Sequence, residues 1–164
     1  MIDIALVESV IVNGLQSYLT TDKRPCTVLM ANQTAPIPPY PYVSYTIITS
    51  SASSGGTYSI HGDGTRFKTV KQVWSFTVQS DDDIESKQLA LKASDWFSLV
   101  GRVDVEDNNI VVEKIGDVGN RDNLLSIEYE YRNGFDVTLA LTSSITKEDA
   151  ERAGYIETVN LQRR

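Results

Sequence analysis

The strongest constraint on the fold is an alternation of apolar and polar residues with a period of two. Trp74, Phe76 and Val78 alternate with polar residues inside the segment 70–79. Because successive side chains of a strand point to opposite faces of a sheet, this pattern predicts a strand with one buried and one wet face. Three further segments, rich in apolar and β-branched residues, are also predicted as strands: 26–30, 42–49 and 110–114.

Two other segments repeat apolar residues every three or four positions, which is the spacing of one helix face. The first covers residues 3–19, and Gly14 within its apolar stripe predicts a close packing contact. The second covers 82–100, begins with aspartates that suit the positive end of a helix dipole, and ends at Gly101. Its predicted buried residues are Leu89, Ala93, Trp96, Phe97 and Val100. A short helix over 147–153 capped by Thr146, and a final strand over 155–161, complete the expected elements.

The segment around Asn133-Gly134 predicts a β-hairpin. Apolar residues alternate before it, from Leu125 to Tyr131, and after it, from Phe135 to Leu141. A three-residue loop at 132–134, with Gly134 in the left-handed region, would place both apolar sets on one face of the sheet.

Two segments predict irregular structure. The four prolines between residues 36 and 41 exclude a helix or a central strand and indicate an extended surface path. Tyr40 and Tyr42 flank Pro41, which suits either a stiff lead into the next strand or a rigid aromatic docking surface. The Ser/Gly-rich segment that follows the strand at 42–49 predicts a flexible loop at about residues 50–69.

Length and composition suggest one folded domain over residues 1–164. Hydrophobic residues make up 41% and charged residues 23%, which excludes an intrinsically disordered chain. The net charge of −7 disfavours a dedicated nucleic-acid binder, because phosphates repel such a surface. No run of apolar residues is long enough for a membrane span, and the first residues do not resemble a signal peptide. Cys26 is the only cysteine, so no internal disulfide can form, and a buried thiol is expected.

Catalytic motifs are scarce. His61 is the only histidine, which excludes a site with several histidine ligands. The sequence contains neither a nucleophile elbow nor a phosphate-binding glycine loop. Carboxylates at 81–83 and Glu85 could hold a hard cation, but acidity at a helix start explains them more simply. We therefore expect no catalytic, cofactor or metal site, and we interpret Glu128 and Glu130 as part of a wet or lumen-facing acidic surface.

Several short motifs follow one another in a characteristic order between residues 36 and 140. They comprise Pro38-Pro39-Tyr40-Pro41-Tyr42-Val43-Ser44-Tyr45, Trp74-Ser75-Phe76, Ser80-Asp81, Asp95-Trp96-Phe97, Arg121-Asp122 and the segment 129–137, Tyr-Glu-Tyr-Arg-Asn-Gly-Phe-Asp-Val. This order resembles the bacteriophage neck terminator, or tail terminator, family. The sequence departs from the family pattern at Tyr131, where an arginine is expected.

The resemblance implies a structural virion protein of the phage neck, assembled in the cytoplasm of the bacterial host. Such proteins form a homo-oligomeric ring, usually a hexamer, that caps the tail tube, ends its polymerisation and joins the tail to a head-completion or connector protein. DNA only passes through the lumen. On this interpretation, and with the two tyrosines included, the candidate interface residues are Tyr40, Tyr42, Arg66, Lys68, Arg121 and Arg132.

The sequence thus predicts a tail-terminator-like α+β domain, with a mixed or mainly antiparallel sheet and two main helices packed on one face. Other functions stay open. The chain could be another tail or neck subunit, such as a tube or completion protein. It could also be a small metal-dependent hydrolase that uses the carboxylates at 81–85, or a general binding module of the host cell.

Overall fold

A computed structural model describes residues 1–21, 24–32, 34, 36–53, 58–122 and 130–152. Along the described residues, a helix is followed by a group of strands, a second helical segment, further strands and a short helix, which is the broad order that the sequence predicts. The elements are α1 (Ile4–Leu19), β1 (Thr27–Met30), β2 (Tyr42–Ser53), β3 (Ser59–Ile60), β4 (Arg66–Ser80), α2 (Asp83–Asp95), a π-helical turn (Trp96–Val100), α3 (Arg102–Asp107), β5 (Ile110–Ile115), β6 (Gly119–Asn120), β7 (Tyr131–Ile145) and α4 (Lys147–Arg152).

The seven strands of the described residues belong to one sheet. Its main path has the order β1-β2-β4-β7-β5, while β3 pairs with β4 and β6 pairs with β7. Strand β1 runs parallel to β2, and every other pairing is antiparallel. The predicted α+β class with a mainly antiparallel sheet is confirmed.

Helices cover one face of the sheet and enclose the core. Helix α1 begins at its predicted position because the Asp3 side chain accepts a hydrogen bond from the Leu6 amide, and its predicted apolar stripe is buried. Beneath the helices, the Phe76 ring lies 5.1 Å from the Phe97 ring and 5.8 Å from the Phe135 ring, measured between centroids. Tyr45 stacks on Trp74 at 5.4 Å. The alternation of residues 70–79 therefore places its aromatic side chains in the core, as predicted.

Two glycines form a slot for the Trp96 indole. A Cβ atom at Gly14 would lie 2.5 Å from the indole, and one at Gly101 would lie 2.0 Å from it. The close packing contact predicted at Gly14 is thus confirmed. The π-helical turn that starts at Trp96 adds a residue to the helical repeat and rotates the residues that follow. For this reason Val100 is 54% exposed, and its predicted place in the core is wrong.

The predicted hairpin turn at 132–134 is also wrong. Residues 131–145 form the single strand β7, in which Tyr131 pairs with Ser80 and Gly134 pairs with Thr77. The glycine serves close packing instead of a turn, because a Cβ atom there would lie 2.3 Å from the carbonyl oxygen of Phe76. Residues 123–129, which include the other half of the expected hairpin, lie outside the described residues.

Strands extend into the segment 50–69, where we expected one long loop. Strand β2 continues to Ser53, β3 pairs with the start of β4, and Arg66 at that start pairs with Ile145 of β7. We call this end of the sheet the arm: residues 50–53, 58–69 and 142–145. Pairing with β7 explains why polar residues here adopt extended backbone.

At the far end of β7, the short helix α4 is capped by Thr146, whose hydroxyl accepts a hydrogen bond from the Asp149 amide, as predicted. The strand predicted over 155–161 lies outside the described residues. Among the helices that the structure describes, none has the length and apolar character needed to span a membrane.

Candidate assembly surfaces

The face of the sheet opposite the helices, which we call the open face, carries a polar groove. Ser44 and Thr46 of β2 lie beside Thr77 and Ser75 of β4 in the strand register. The groove has a volume of about 510 Å³, and the proline-rich segment at Ile37 and Pro38 forms one wall. Three of the predicted interface residues line this groove: Tyr42, Arg121 and Arg132.

Arg121 lies flat across the open face. Its guanidinium donates hydrogen bonds to the Ser75 hydroxyl at 2.5 Å, to the Thr77 hydroxyl at 3.2 Å and to the Asp136 carboxylate at 2.8 Å. Gly134 makes room for it, since a Cβ atom there would lie 2.9 Å from Cδ of Arg121. Burial by itself would raise the pKa of Asp136, but hydrogen bonds from Ser75 and Arg121 and the charge of Arg121 lower it overall. The Arg121 side chain thus fastens β6 and its flanking residues to the sheet.

Asp122 adds further hydrogen bonds between this segment and β7. Its carboxylate accepts hydrogen bonds from the Arg132 amide at 2.6 Å and from the Asn120 side chain at 2.7 Å. The Arg121 amide also donates to the Arg132 carbonyl at 2.8 Å. Both residues of the Arg121-Asp122 motif therefore bind β7, the strand that carries most of the 129–137 motif.

A second polar cluster brings the two tyrosines to Arg132. The Tyr40 and Tyr42 rings stack at 5.6 Å, and the Tyr42 hydroxyl donates to Glu130 at 3.2 Å. Arg132 forms an ion pair with Glu130 at 2.7 Å, where the Glu130 side chain is only 10% exposed. Burial and the neighbouring Glu130 charge raise the pKa of Tyr42 to about 12, and the hydrogen bond with Glu130 raises the pKa of Arg132. Glu130 is therefore held by its partners within this chain, and its lumen-facing role stays a prediction; Glu128 lies outside the described residues.

The remaining two predicted interface residues lie far from this cluster, on the arm. Arg66 and Lys68 sit near the start of β4, and Arg66 also lies 5.7 Å above the centre of the Tyr58 ring. The structure therefore divides the predicted interface into two surfaces, one on the open face and one on the arm.

The carboxylates at 81–85 serve the start of α2. Asp82 accepts a hydrogen bond from the Glu85 amide and caps the helix, while Asp83 pairs with Lys87. Arg24 bridges the other two, at 3.0 Å from both Asp81 and Glu85. Over the part of the chain that the structure describes, no group of three or more histidine, cysteine or acidic side chains could hold a metal ion.

Cys26 is buried, as expected. Burial, together with the charge of Glu85, raises the pKa of its thiol to about 11. The thiol is therefore protonated at neutral pH, which makes it a poor nucleophile.

The helical layer carries a group of exposed apolar side chains that the sequence did not predict. Leu99, Val100 and Val103 are 72%, 54% and 62% exposed. A regular helix of period 3.6 would have buried Val100, and only the π-helical turn brings it to the surface. The sequence carries no clear signal for that extra residue.

The fold is one mainly antiparallel sheet, with helices on one face and a polar groove on the other. The sequence model of the phage neck terminator protein family matches residues 9–163 of the chain. The chain therefore belongs to the phage neck terminator family, and it is a structural component of the virion neck that contacts other head or tail proteins. No curated protein matches the chain.

Proposed function

We propose that this protein forms a ring on the end of the phage tail tube. The ring, a hexamer, ends polymerisation of the tube and joins the tail to a head-completion or connector protein, while DNA passes through its lumen. Assembly takes place in the bacterial cytoplasm. The observation that carries this proposal is the match to the neck terminator family over nearly the whole chain.

The distribution of surface features supports an assembling ring. The chain exposes apolar side chains on the helical layer, at Leu99 and Val103, and on the arm, at Tyr58 and Ile60. Exposed apolar side chains that lie close together suit contacts with other proteins. When two different surfaces of identical subunits bind each other, the subunits close into a ring if the rotation between neighbours permits it. The net charge of −7 suits a channel through which DNA must move without binding.

The geometry favours this role over an enzyme. The carboxylates at 81–85 are engaged in a helix cap and in ion pairs with Arg24 and Lys87. Alanine at Asp81, Asp82, Asp83 and Glu85 separates the two functions. A structural role predicts that any loss concerns folding or assembly, whereas a hydrolase predicts loss of a catalytic rate in a folded protein.

The direct test is a phage with a nonsense mutation in this gene, grown in a nonpermissive host and viewed by electron microscopy. We expect full heads beside separate tails of uncontrolled length. Heads beside tails of normal length would assign the protein to joining alone and contradict the terminator role. Intact infectious particles would overturn the proposal altogether. Supplying the wild-type protein from a plasmid is the control, since it restores infectious particles only if this gene causes the defect.

A further inference from the structure

The arm presents an apolar surface with basic residues in it. Ile60, Arg66 and Ile145 lie side by side on β3, β4 and β7, and directly opposed residues share a face of the sheet. Tyr58 packs beside Arg66, and Lys68 follows two residues along the same face of β4. We call this surface the arm patch: Tyr58, Ile60, Arg66, Lys68 and Ile145. Its three apolar members are 43–59% exposed.

The helical layer presents a complementary surface, apolar and acidic. Between residues 99 and 107, the π-helical turn and α3 expose a stripe of apolar and acidic side chains: Leu99, Val100, Val103, Asp104 and Asp107. We call this stripe the helical patch. Asp104 and Asp107 are exposed, and neither forms an ion pair with another described residue. Arg102, the basic residue next to the stripe, is paired with Glu106 at 2.8 Å.

The two patches lie on different elements of the fold: the arm patch spans β3, β4 and β7, and the helical patch spans the π-helical turn and α3. Strand β3 pairs with β4 on the side where β2 lies, because β7 occupies the other side. Helix α3 leads directly into β5, the strand at one end of the main path. Since the two patches share no residue, one copy can offer its arm patch to one neighbour and its helical patch to another. This arrangement is what a head-to-tail interface between identical subunits requires.

We propose that the arm patch of each copy docks on the helical patch of the next copy around the ring. Arg66 and Lys68 then face Asp104 and Asp107, while Ile60 and Ile145 cover Leu99 and Val103. The contact joins opposite charges at its rim and removes exposed apolar side chains from water on both partners. It also gives copies that each carry a net charge of −7 a locally attractive contact. This inference rests on the proposed ring and specifies the surfaces that close it.

The test reverses the charge of one patch at a time. An arm variant carries Arg66→Glu and Lys68→Glu, and a helix variant carries Asp104→Lys and Asp107→Lys. Each is supplied from a plasmid to the phage with the nonsense mutation, after circular dichroism has verified folding. We expect each variant alone to lower the phage titre by about a hundredfold or more, because like charges that face each other across an interface are strongly unfavourable. The control, Lys87→Glu with Lys114→Glu, changes the net charge as the arm variant does and should support the wild-type titre.

Coexpression of the two variants sharpens the test. The acidic arm of one variant faces the basic helical patch of the other, and the unchanged patches also match, so an alternating ring with an even number of copies closes. We expect coexpression to restore the titre at least tenfold over either variant alone. Wild-type titre from the arm variant, or no restoration by the folded pair, would overturn the proposed interface.

A cross-linking measurement separates failure of the interface from failure of the ring function. A chain with Ile60→Cys and Val103→Cys is treated with a bis-maleimide linker in the lysate, while the buried Cys26 is protected. A head-to-tail contact gives a ladder beyond the dimer on a denaturing gel, and the chain with Ile60→Cys alone gives none. A ladder supports the interface even if the nonsense lysate contains intact particles. Separate heads and tails without a ladder would refute the interface and leave the ring function standing.

Discussion

The two faces of the sheet are stabilised in different ways. The covered face buries a continuous set of aromatic rings, in which Phe76 lies within 6.3 Å of four others between centroids. The open face relies on a few directed hydrogen bonds, most of them from Arg121. Burying an aromatic side chain contributes several times the roughly 1 kcal/mol of a typical hydrogen bond. Stability therefore comes mainly from the covered face, while the open face positions the segments that carry the Arg121-Asp122 motif and the proline-tyrosine motif.

The largest expected effect tests the covered face. Phe76→Ala removes the central ring of the aromatic set, and we expect it to lower the free energy of unfolding by about 3–5 kcal/mol, measured by urea denaturation. Ile84→Ala is the matched control, because Ile84 is 65% exposed, and a change within about 0.5 kcal/mol is expected there. A similar loss in both variants would contradict the assignment of stability to this face.

A smaller loss is expected from a single methyl group on the open face. Gly134→Ala places a Cβ atom 2.3 Å from the Phe76 carbonyl oxygen and 2.9 Å from the Arg121 side chain, so backbone and side chain must shift. We expect destabilisation of about 1–3 kcal/mol by the same denaturation measurement. Gly119→Ala, on the strand paired with Gly134, meets nothing within 4 Å and should be nearly neutral. Equal effects at both glycines would refute the role of Gly134 as the space for Arg121.

The acid dependence of stability isolates the Arg121 contact. The pKa of Asp136 is lower in the folded chain than its ordinary value of 3.8. Its contribution is therefore fully present above that value and is lost as the pH falls towards the folded pKa. Asp136→Asn should flatten the decline of thermal stability in this window, by less than about 1 kcal/mol because the pair is partly exposed. Asp117→Asn, at an exposed aspartate, serves as the comparison, and an unchanged acid profile for Asp136→Asn would contradict the pairing.

The smallest effect concerns the alkaline side and the Tyr42 cluster. With a pKa of about 12 in the folded chain against an ordinary 10, Tyr42 contributes stability that is present below pH 10 and is lost as the pH rises towards 12. The tyrosinate absorbance of the wild type minus that of Tyr42→Phe should therefore titrate near pH 12. Glu130→Gln should move this step to lower pH, because the Glu130 charge is the second-largest cause, behind burial, of the raised pKa of Tyr42. A difference step at pH 10 in the wild type would show that the cluster does not form.

The regular elements of this fold could be predicted from the sequence, because their patterns are local. The alternation of residues 70–79 and the apolar stripe of α1 both report burial directly. The predicted hairpin at 132–134 is wrong because an unbroken strand places Tyr131 and Phe135 on the same face just as a three-residue loop would, and Asn-Gly is typical of turns. Gly134 is needed because Arg121 and the Phe76 carbonyl oxygen approach it closely. Both residues are distant in the sequence, so no local pattern predicts this contact.

The candidate site could be predicted only in part, for the same reason. The family resemblance predicts that Arg121 and Arg132 meet a neighbouring subunit, yet both form ion pairs within the chain, Arg121 with Asp136 and Arg132 with Glu130. Their interface role stays a prediction, and a neighbouring subunit would have to compete with Asp136 and Glu130 for these two arginines. The helical patch was not foreseen at all, because the π-helical turn that exposes Val100 follows from packing around Trp96 and not from helix periodicity.

The length of β4 has a mechanical consequence. One continuous strand joins the arm to the aromatic core, and it pairs with β7 in one unbroken register from Arg66 to Ser80. A pull on the arm along this strand loads those hydrogen bonds in shear, so that they resist together. On the other side, the pairing of β2 with β4 contains register shifts after Ile47 and after Thr49. Under tension, β2 would detach from β4 first, while β4 and β7 would transmit the force to the centre of the molecule.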